Sequence, residues 1–332
     1  MNKTKPIKIL AILPTLLTVM LCILPALPSS MLNAEEPQSK KLRVVTSFLP
    51  IQSHTTAIAG DMAQVEQLLD KEAGPHDFQL TPSSVRKLAE ADLFIINGAG
   101  IEDWLDELIK KAGNKNLVIV DTSKGIRLLD NPEEILTDAG DHRAHDHKHH
   151  DHGHDHSHAD GKNPHTWLDP VIALKQAEII SKALQKADSS NASIYQANTK
   201  AYIAELKKLD ADFASALAPL PNKNLVTFHE AFPYLAERYE LNYVGAISKF
   251  PEKDPSPKQL AALVDKIKEL RIGVLFCEEA YAPELLKKIA GQTGAKVSTL
   301  NTLEVGQGNA TAYISLMRAN LVALRAAFTV ES

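Results

Sequence analysis

Cysteine is almost missing from this chain: there are two in 332 residues, Cys22 and Cys277. Cys22 falls in an apolar leader, so a processed chain keeps one thiol and has no internal disulfide. Its stability must come from a hydrophobic core, which about 300 residues are enough to build. Basic charge is not in excess either. Lys and Arg number 36 against 41 Asp and Glu, a net charge of −5, and no basic stripe carries interleaved aromatics. That argues against nucleic acid as a partner. No sequence repeat of fixed period relates the two halves of the chain.

What is present is ordinary globular material, 44% apolar and 23% charged, in a chain long enough for two domains. The N-terminus has the layout of a secretory signal over residues 1–34. Lys3, Lys5 and Lys8 precede an apolar run from Ile9 to about Leu27, and Ala34 offers a small residue for cleavage. Pro14 and Pro25 interrupt the run, which disfavours a membrane anchor. Leu21 is too bulky for lipid processing at Cys22. The expectation is an exported chain with a cleaved, unlipidated start, which places it in the periplasm.

Short β-branched runs alternate with helical stretches from there on. "LRVVTSF", "DLFIING" and "NLVIVDT" read as strands. "TPSSVRKLAEA" reads as a helix capped by Thr81 or Ser83, and "IEDWLDELIKKAG" as one ending at Gly113. The rhythm returns after residue 221 with "NLVTFHE", "LNYVGAI", "IGVLFCEE" and "AKVSTL" separated by helices. Such alternation predicts an α/β fold, with two lobes that each hold a mainly parallel sheet flanked by helices. The lobes are expected over 35–169 and 221–332, with a helical linker over 170–220. Within the linker, residues 193–218 contain no Gly or Pro. As one helix they would reach about 39 Å, a rigid backbone strut between lobes.

Thirteen histidines stand out. Nine of them, His142, His145, His147, His149, His150, His152, His154, His156 and His158, crowd into Asp141–Asp160. That segment has no apolar residue larger than alanine and so no core on which to build a fixed site. It reads as an auxiliary metal-capture loop of weak, exchangeable positions, with sensing of a full metal pool as the competing reading. His76 lies in a Gly-Pro turn, His165 in the Pro-flanked "NPHTWLDP", and His229 at the end of a strand. Ligands collect beyond the carboxyl ends of strands in open α/β sheets, so these three are expected to converge between the lobes. Three imidazoles with an open or oxygen fourth position suit zinc. Asp77, Asp169 and Glu230 lie nearby in sequence as candidate acceptors for the second ring N–H. His54 is read as structural, at the start of the first helix. Zinc hydrolysis is disfavoured, because "FHEAF" places Pro233 where His-Glu-x-x-His needs its second histidine.

Three segments, "AGPHDFQLTPSSVRKLAEADLFIINGAGIEDWL", "NPHTWLDP" and "TFHEAFPYLAERYELNYVGAI", resemble the substrate-binding proteins of zinc and manganese ABC importers, the ZnuA-like group. The resemblance spans roughly residues 42–328. It implies one metal in an inter-lobe cleft, held by His76, His165 and His229, and delivery to an ABC permease of the inner membrane by a monomeric protein; a periplasmic zinc buffer without a permease shares every metal-binding feature and is the alternative. Histidine in the third position, where manganese members tend to carry Glu, and the His-rich loop favour Zn(II) as the ligand. The chain departs from the group at Asn301, where many relatives carry a ligand Asp. Asn301, Glu304 and water therefore all stand as fourth ligands. Glu278 matches a position common to the group that is taken as structural.

Overall fold

The computed structural model describes residues 41–76, 78–131, 161–247, 256–278 and 283–329. The leader expected over 1–34 and the His-rich loop over 141–160 lie outside them. The first sheet is built from β1 (Leu42–Thr46), β2 (Ala63–Gln67), β3 (Leu93–Ile96) and β4 (Val118–Asp121). Its order is β2-β1-β3-β4 and every pairing is parallel. The central β3, "LFII", is buried at all four positions, as a strand covered on both faces must be. Three helices, α1 (Leu49–Ala59), α2 (Pro82–Glu90) and α3 (Leu105–Ala112), connect the strands.

Local chemistry sets the helix ends. Thr81 caps α2 in a reciprocal box with Ser84, and Pro82 occupies the first turn, where its missing N–H costs nothing. Gly113 closes α3 in the left-handed conformation at φ 62°. The sequence reading names no strand at 63–67. "AQVEQ" carries three polar residues in five and sits at the sheet edge, so its own pattern is weak and its register against β1 decides its conformation.

Two helices follow, α4 (Pro170–Ala187) and α5 (Ala192–Leu217). Tyr195, Thr199, Tyr202, Leu206, Leu209, Phe213 and Leu217 form a buried stripe down all 26 residues of α5. A stripe at helical period along the whole length means that α5 packs throughout. Phe213 stacks on Tyr239 of the second lobe at a ring separation of 5.0 Å. The second sheet comprises β5 (Asn224–Thr227), β6 (Asn242–Ala246), β7 (Val274–Glu278) and β8 (Lys296–Leu300). Its order is β6-β5-β7-β8, again all parallel. It is served by α6 (Pro233–Arg238), α7 (Pro257–Glu269), α8 (Pro283–Thr293) and α9 (Ala312–Thr329).

The larger hydrophobic core runs from the first sheet through α4 and α5 to α9. A smaller one lies in the second lobe and includes Val226, Phe228, Leu263, Leu275 and Leu286. A shared core of this kind makes the lobes one packed body rather than two beads on a linker. Residues 302–309, beyond β8, add polar fasteners to the first lobe. Gln67 donates to Gly306 O at 2.9 Å and accepts from Gly308 N at 3.1 Å. Gly306 N donates to Lys71 O at 2.8 Å, and Ser53 Oγ to Asn309 O at 2.7 Å. Trp167 Nε1 donates to Thr302 O at 2.7 Å. Among the described residues no helix is long and apolar enough to cross a membrane.

Candidate metal centre

His76 stands in the turn Gly74-Pro75-His76 between β2 and α2. Trp104 holds this turn from both sides of the histidine. Its indole N–H donates to Pro75 O at 3.1 Å, and its ring packs on Phe78 at 4.3 Å. His165 follows Asn163-Pro164 and leads into α4. Asn97, just past β3, secures that turn: its Nδ2 donates to Pro164 O at 3.1 Å, and its Oδ1 accepts from Thr166 and Gln176 at 3.2 and 3.0 Å. The Asn97 and Gly98 backbone N–H groups in turn donate to the Glu102 carboxylate at 2.8 and 2.9 Å. Burial pushes that carboxyl up to about 7, against the pull of these bonds.

His229 lies two residues beyond β5, and Glu304 four beyond β8. The ends of both sheets thus bring together groups far apart in sequence. One ligand atom from each of His76, His165, His229 and Glu304 lies within 4.8 Å of all the others. The Glu304 Oε1 stands 3.1 Å from His165 Nε2, 3.3 Å from His229 Nε2 and 3.8 Å from His76 Nε2. The Nε2 atoms of His165 and His229 are 3.3 Å apart. For zinc–nitrogen bonds near about 2.05 Å, the edge of a coordination tetrahedron is about 3.3 Å. His165, His229 and Glu304 already have those dimensions, and His76 Nε2 stands farther out, 3.8 Å from Glu304 Oε1.

Ring orientation explains why such a cluster wants a cation. His165 Nδ1 faces Asn163 Oδ1 at 3.1 Å, and His229 Nδ1 bonds the Glu278 carboxylate. Both acceptors require a proton on Nδ1, so in the neutral rings both Nε2 lone pairs point inward. They meet the Glu304 carboxylate, whose two oxygens are buried and receive no hydrogen bond. Acceptors facing acceptors repel unless positive charge sits among them. Burial alone would lower His229 and raise Glu304. The Glu278 and Glu304 charges outweigh it and push His229 well above the ordinary histidine value. The imidazoles, His229 foremost, hold Glu304 well below the usual carboxylate range. A cation among these groups, metal ion or proton, supplies the missing charge.

The sequence-predicted histidines His76, His165 and His229 therefore stand together, three quarters of a compact donor set. Glu304 joins them and Asn301 does not. Asn301 Oδ1 instead accepts from Leu303 N at 2.8 Å, capping the turn that presents Glu304. Glu278 touches the second nitrogen of His229 and also accepts the His229 backbone N–H at 3.0 Å, so it orients that ring from behind. The acidic neighbours in sequence take other roles. Asp169 caps α4 by accepting from Val171 N at 2.7 Å, and Glu230 lends its backbone carbonyl to Asn163 at 2.8 Å. Asp77 is outside the described residues. Glu278 lies 49 positions from His229, so no local signal could have paired them. His54 lies in the middle of α1 rather than at its start, with Nδ1 2.9 Å from Tyr202 Oη, and burial lowers its pKa to about 3.

The model of the family described as "Zinc-uptake complex component A periplasmic" (ZnuA) matches residues 44–327. The chain is 35% identical over 309 residues to the high-affinity zinc uptake system protein ZnuA of Bacillus subtilis, covering 92% of this chain and 93% of that protein. It is 32% identical over 289 residues to the zinc-binding lipoprotein AdcA of Streptococcus pneumoniae, covering 86% of this chain and 55% of AdcA. Its fold matches the crystal structure of the Zn(II)-bound ZnuA-like domain of that AdcA with a TM-score of 0.70 at 29% identity, over 87% of this chain and all of that domain. By sequence match over most of its length, the chain belongs to the ZnuA family, the substrate-binding proteins of ABC zinc-uptake systems, which are not enzymes.

Proposed function

We propose that this protein captures Zn(II) in the cleft between its lobes through His76, His165, His229 and Glu304, and delivers it in the periplasm to an ABC permease. One observation carries the reading: three imidazole nitrogens and one carboxylate oxygen, buried or half-buried and drawn from both lobes, converge within 4.8 Å of one another. Relatives named for zinc uptake support the choice of metal. The three-histidine, one-carboxylate set suits zinc, which takes both donor types in four-coordinate sites. His76, with 15% of its side chain exposed against 5% or less for the other three, marks the side from which the ion enters. The fully packed α5 and the fasteners from residues 302–309 favour small lobe adjustments over wide hinge closure. The His-rich loop over 141–160 serves as an auxiliary capture segment that raises the local supply of metal.

Competitive chelator titration tests the assignment on three proteins: the intact chain, a deletion of residues 141–160, and a His76→Ala/His165→Ala/His229→Ala variant. The deletion should keep one tight zinc site and the triple variant should lose it. Tight binding that followed the loop instead would remove the four-residue assignment.

A further inference from the structure

Asn163 is fully buried and uses every polar atom it has. Its Oδ1 accepts from the His165 backbone N–H at 3.0 Å and faces His165 Nδ1 at 3.1 Å. Its Nδ2 donates to Glu230 O at 2.8 Å, one residue beyond His229. Its backbone N–H donates to Leu129 O at 2.8 Å, and its carbonyl accepts from Tyr234 Oη at 2.7 Å. The amide orientation is unambiguous, because a backbone N–H can only donate to Oδ1 and a backbone carbonyl can only accept from Nδ2.

We propose that Asn163 is a positioning residue that sets the metal-binding tautomer of His165 and ties that first-lobe ligand to the second-lobe strand end carrying His229. The proposal rests on the four-residue metal site proposed above. Two limbs of one side chain do the two jobs. The oxygen limb requires hydrogen on His165 Nδ1 and so makes Nε2 the nitrogen that carries the lone pair. The nitrogen limb holds the Glu230 carbonyl, and with it the backbone that aims His229. The two imidazoles thus keep their 3.3 Å spacing through a single planar amide. The partners of the two rings also differ in charge. Glu278 behind His229 is a carboxylate, whereas Asn163 is neutral and can reach both lobes because an amide both accepts and donates.

The limbs can be separated by substitution. Asn163→Ala removes both, and Asn163→Asp keeps the acceptor for His165 but loses the donor to Glu230. Tyr234→Phe removes the hydroxyl that Leu129 N and Asn163 O share, and leaves the amide in place. Each full-length variant is titrated with zinc against a chelator. Each is also given one equivalent of cobalt(II), whose d–d absorption is intense only in a tetrahedral site. Asn163→Ala should weaken zinc binding about 10- to 100-fold, the usual effect of losing an outer partner of a ligating histidine, and should diminish the cobalt band. Asn163→Asp, which keeps only the His165 limb, should fall between Asn163→Ala and wild type, and Tyr234→Phe should leave the band unchanged. Wild-type affinity and band in Asn163→Ala would overturn the proposal, as would an equal loss in Tyr234→Phe. If Asn163→Ala does not fold, Asn163→Asp decides alone: zinc binding weaker than wild type, from loss of the Glu230 tie, supports the proposal, and wild-type affinity with an unchanged band refutes it. His165→Ala, run in parallel, separates the two levels. If it too keeps the band, the metal site itself is wrongly assigned; if only Asn163→Ala keeps it, the site stands and the positioning role falls.

Discussion

Glu304→Gln is the sharpest perturbation of the site, because Glu304 supplies its one negative charge among the four donors. The substitution keeps the shape and removes the charge. A divalent ion bonded to a carboxylate oxygen at about 2.1 Å gains about 4 kcal/mol from that charge even at the dielectric constant of water. That corresponds to about three decades in Kd. The amide oxygen retains part of the bond, so we expect zinc affinity to fall about 100- to 1000-fold. An opposing effect has a definite sign. Glu304 helps to raise His229, so the variant binds a competing proton less tightly. The loss should therefore be largest at high pH, where His229 is deprotonated in both proteins, and smaller towards pH 6. Chelator competition on the chain lacking residues 141–160, repeated across pH, reads both. Asn301→Asp is the companion variant and should change affinity less than about 3-fold, since that side chain is committed to Leu303 N. A loss below about 5-fold in Glu304→Gln, together with tighter binding in Asn301→Asp, would refute the placement of Glu304 in the site.

Zinc binding near pH 7 should release a proton, because Glu278 and Glu304 raise His229 well above its ordinary value and the metal must displace what that ring holds. Calorimetry in buffers of different ionisation enthalpy counts it; no buffer dependence would contradict the protonated metal-free cluster. His54 should make the fold acid-sensitive. Its folded pKa is depressed to about 3, so its contribution is complete above the unfolded value near 6.5 and falls away between 6.5 and 3. Urea unfolding of the metal-free chain at pH 7 and pH 5 should show a loss of about 2 kcal/mol from this group. His54→Gln should lack that increment, and an identical pH slope in both proteins would dismiss it. Gly308→Ala should destabilise the inter-lobe fastening. An added Cβ would meet Leu49 O and the Gln52 side chain at 2.7 Å. Overpacking of this kind costs about 1–3 kcal/mol, or about 3–8 °C in a thermal scan. An unchanged melting temperature would mean that residues 302–309 are not pressed against α1.

The chain by itself determined its periodicities and its local chemistry. Short continuous apolar runs bounded by turn residues, such as Leu93–Ile96, mark strands covered on both faces. Thr81, Pro82 and Gly113 mark helix ends through interactions that span a few residues. The unbroken 193–218 stretch forms a long helix because nothing in it interrupts one. The convergence of His76, His165 and His229 was legible because each sits in a turn or at a strand end, on the side where open α/β sheets gather their loops.

Tertiary structure decided what depends on distance through space. The polar edge strand Ala63–Gln67 takes its conformation from pairing with β1. Glu304 rather than Asn301 reaches the imidazoles because the turn after β8 is fastened to the first lobe by Gln67, Lys71 and Trp167, residues more than 130 positions away. Orientation of the rings was also hidden. The acidic neighbours Asp169 and Glu230 looked like partners by sequence. Backbone direction gives those roles to Asn163 and to Glu278 on the adjoining strand β7. A one-dimensional pattern reports which residues share a turn or a face. Which acceptors meet, and with which nitrogen inward, is set only when two sheets point their carboxyl ends at one another.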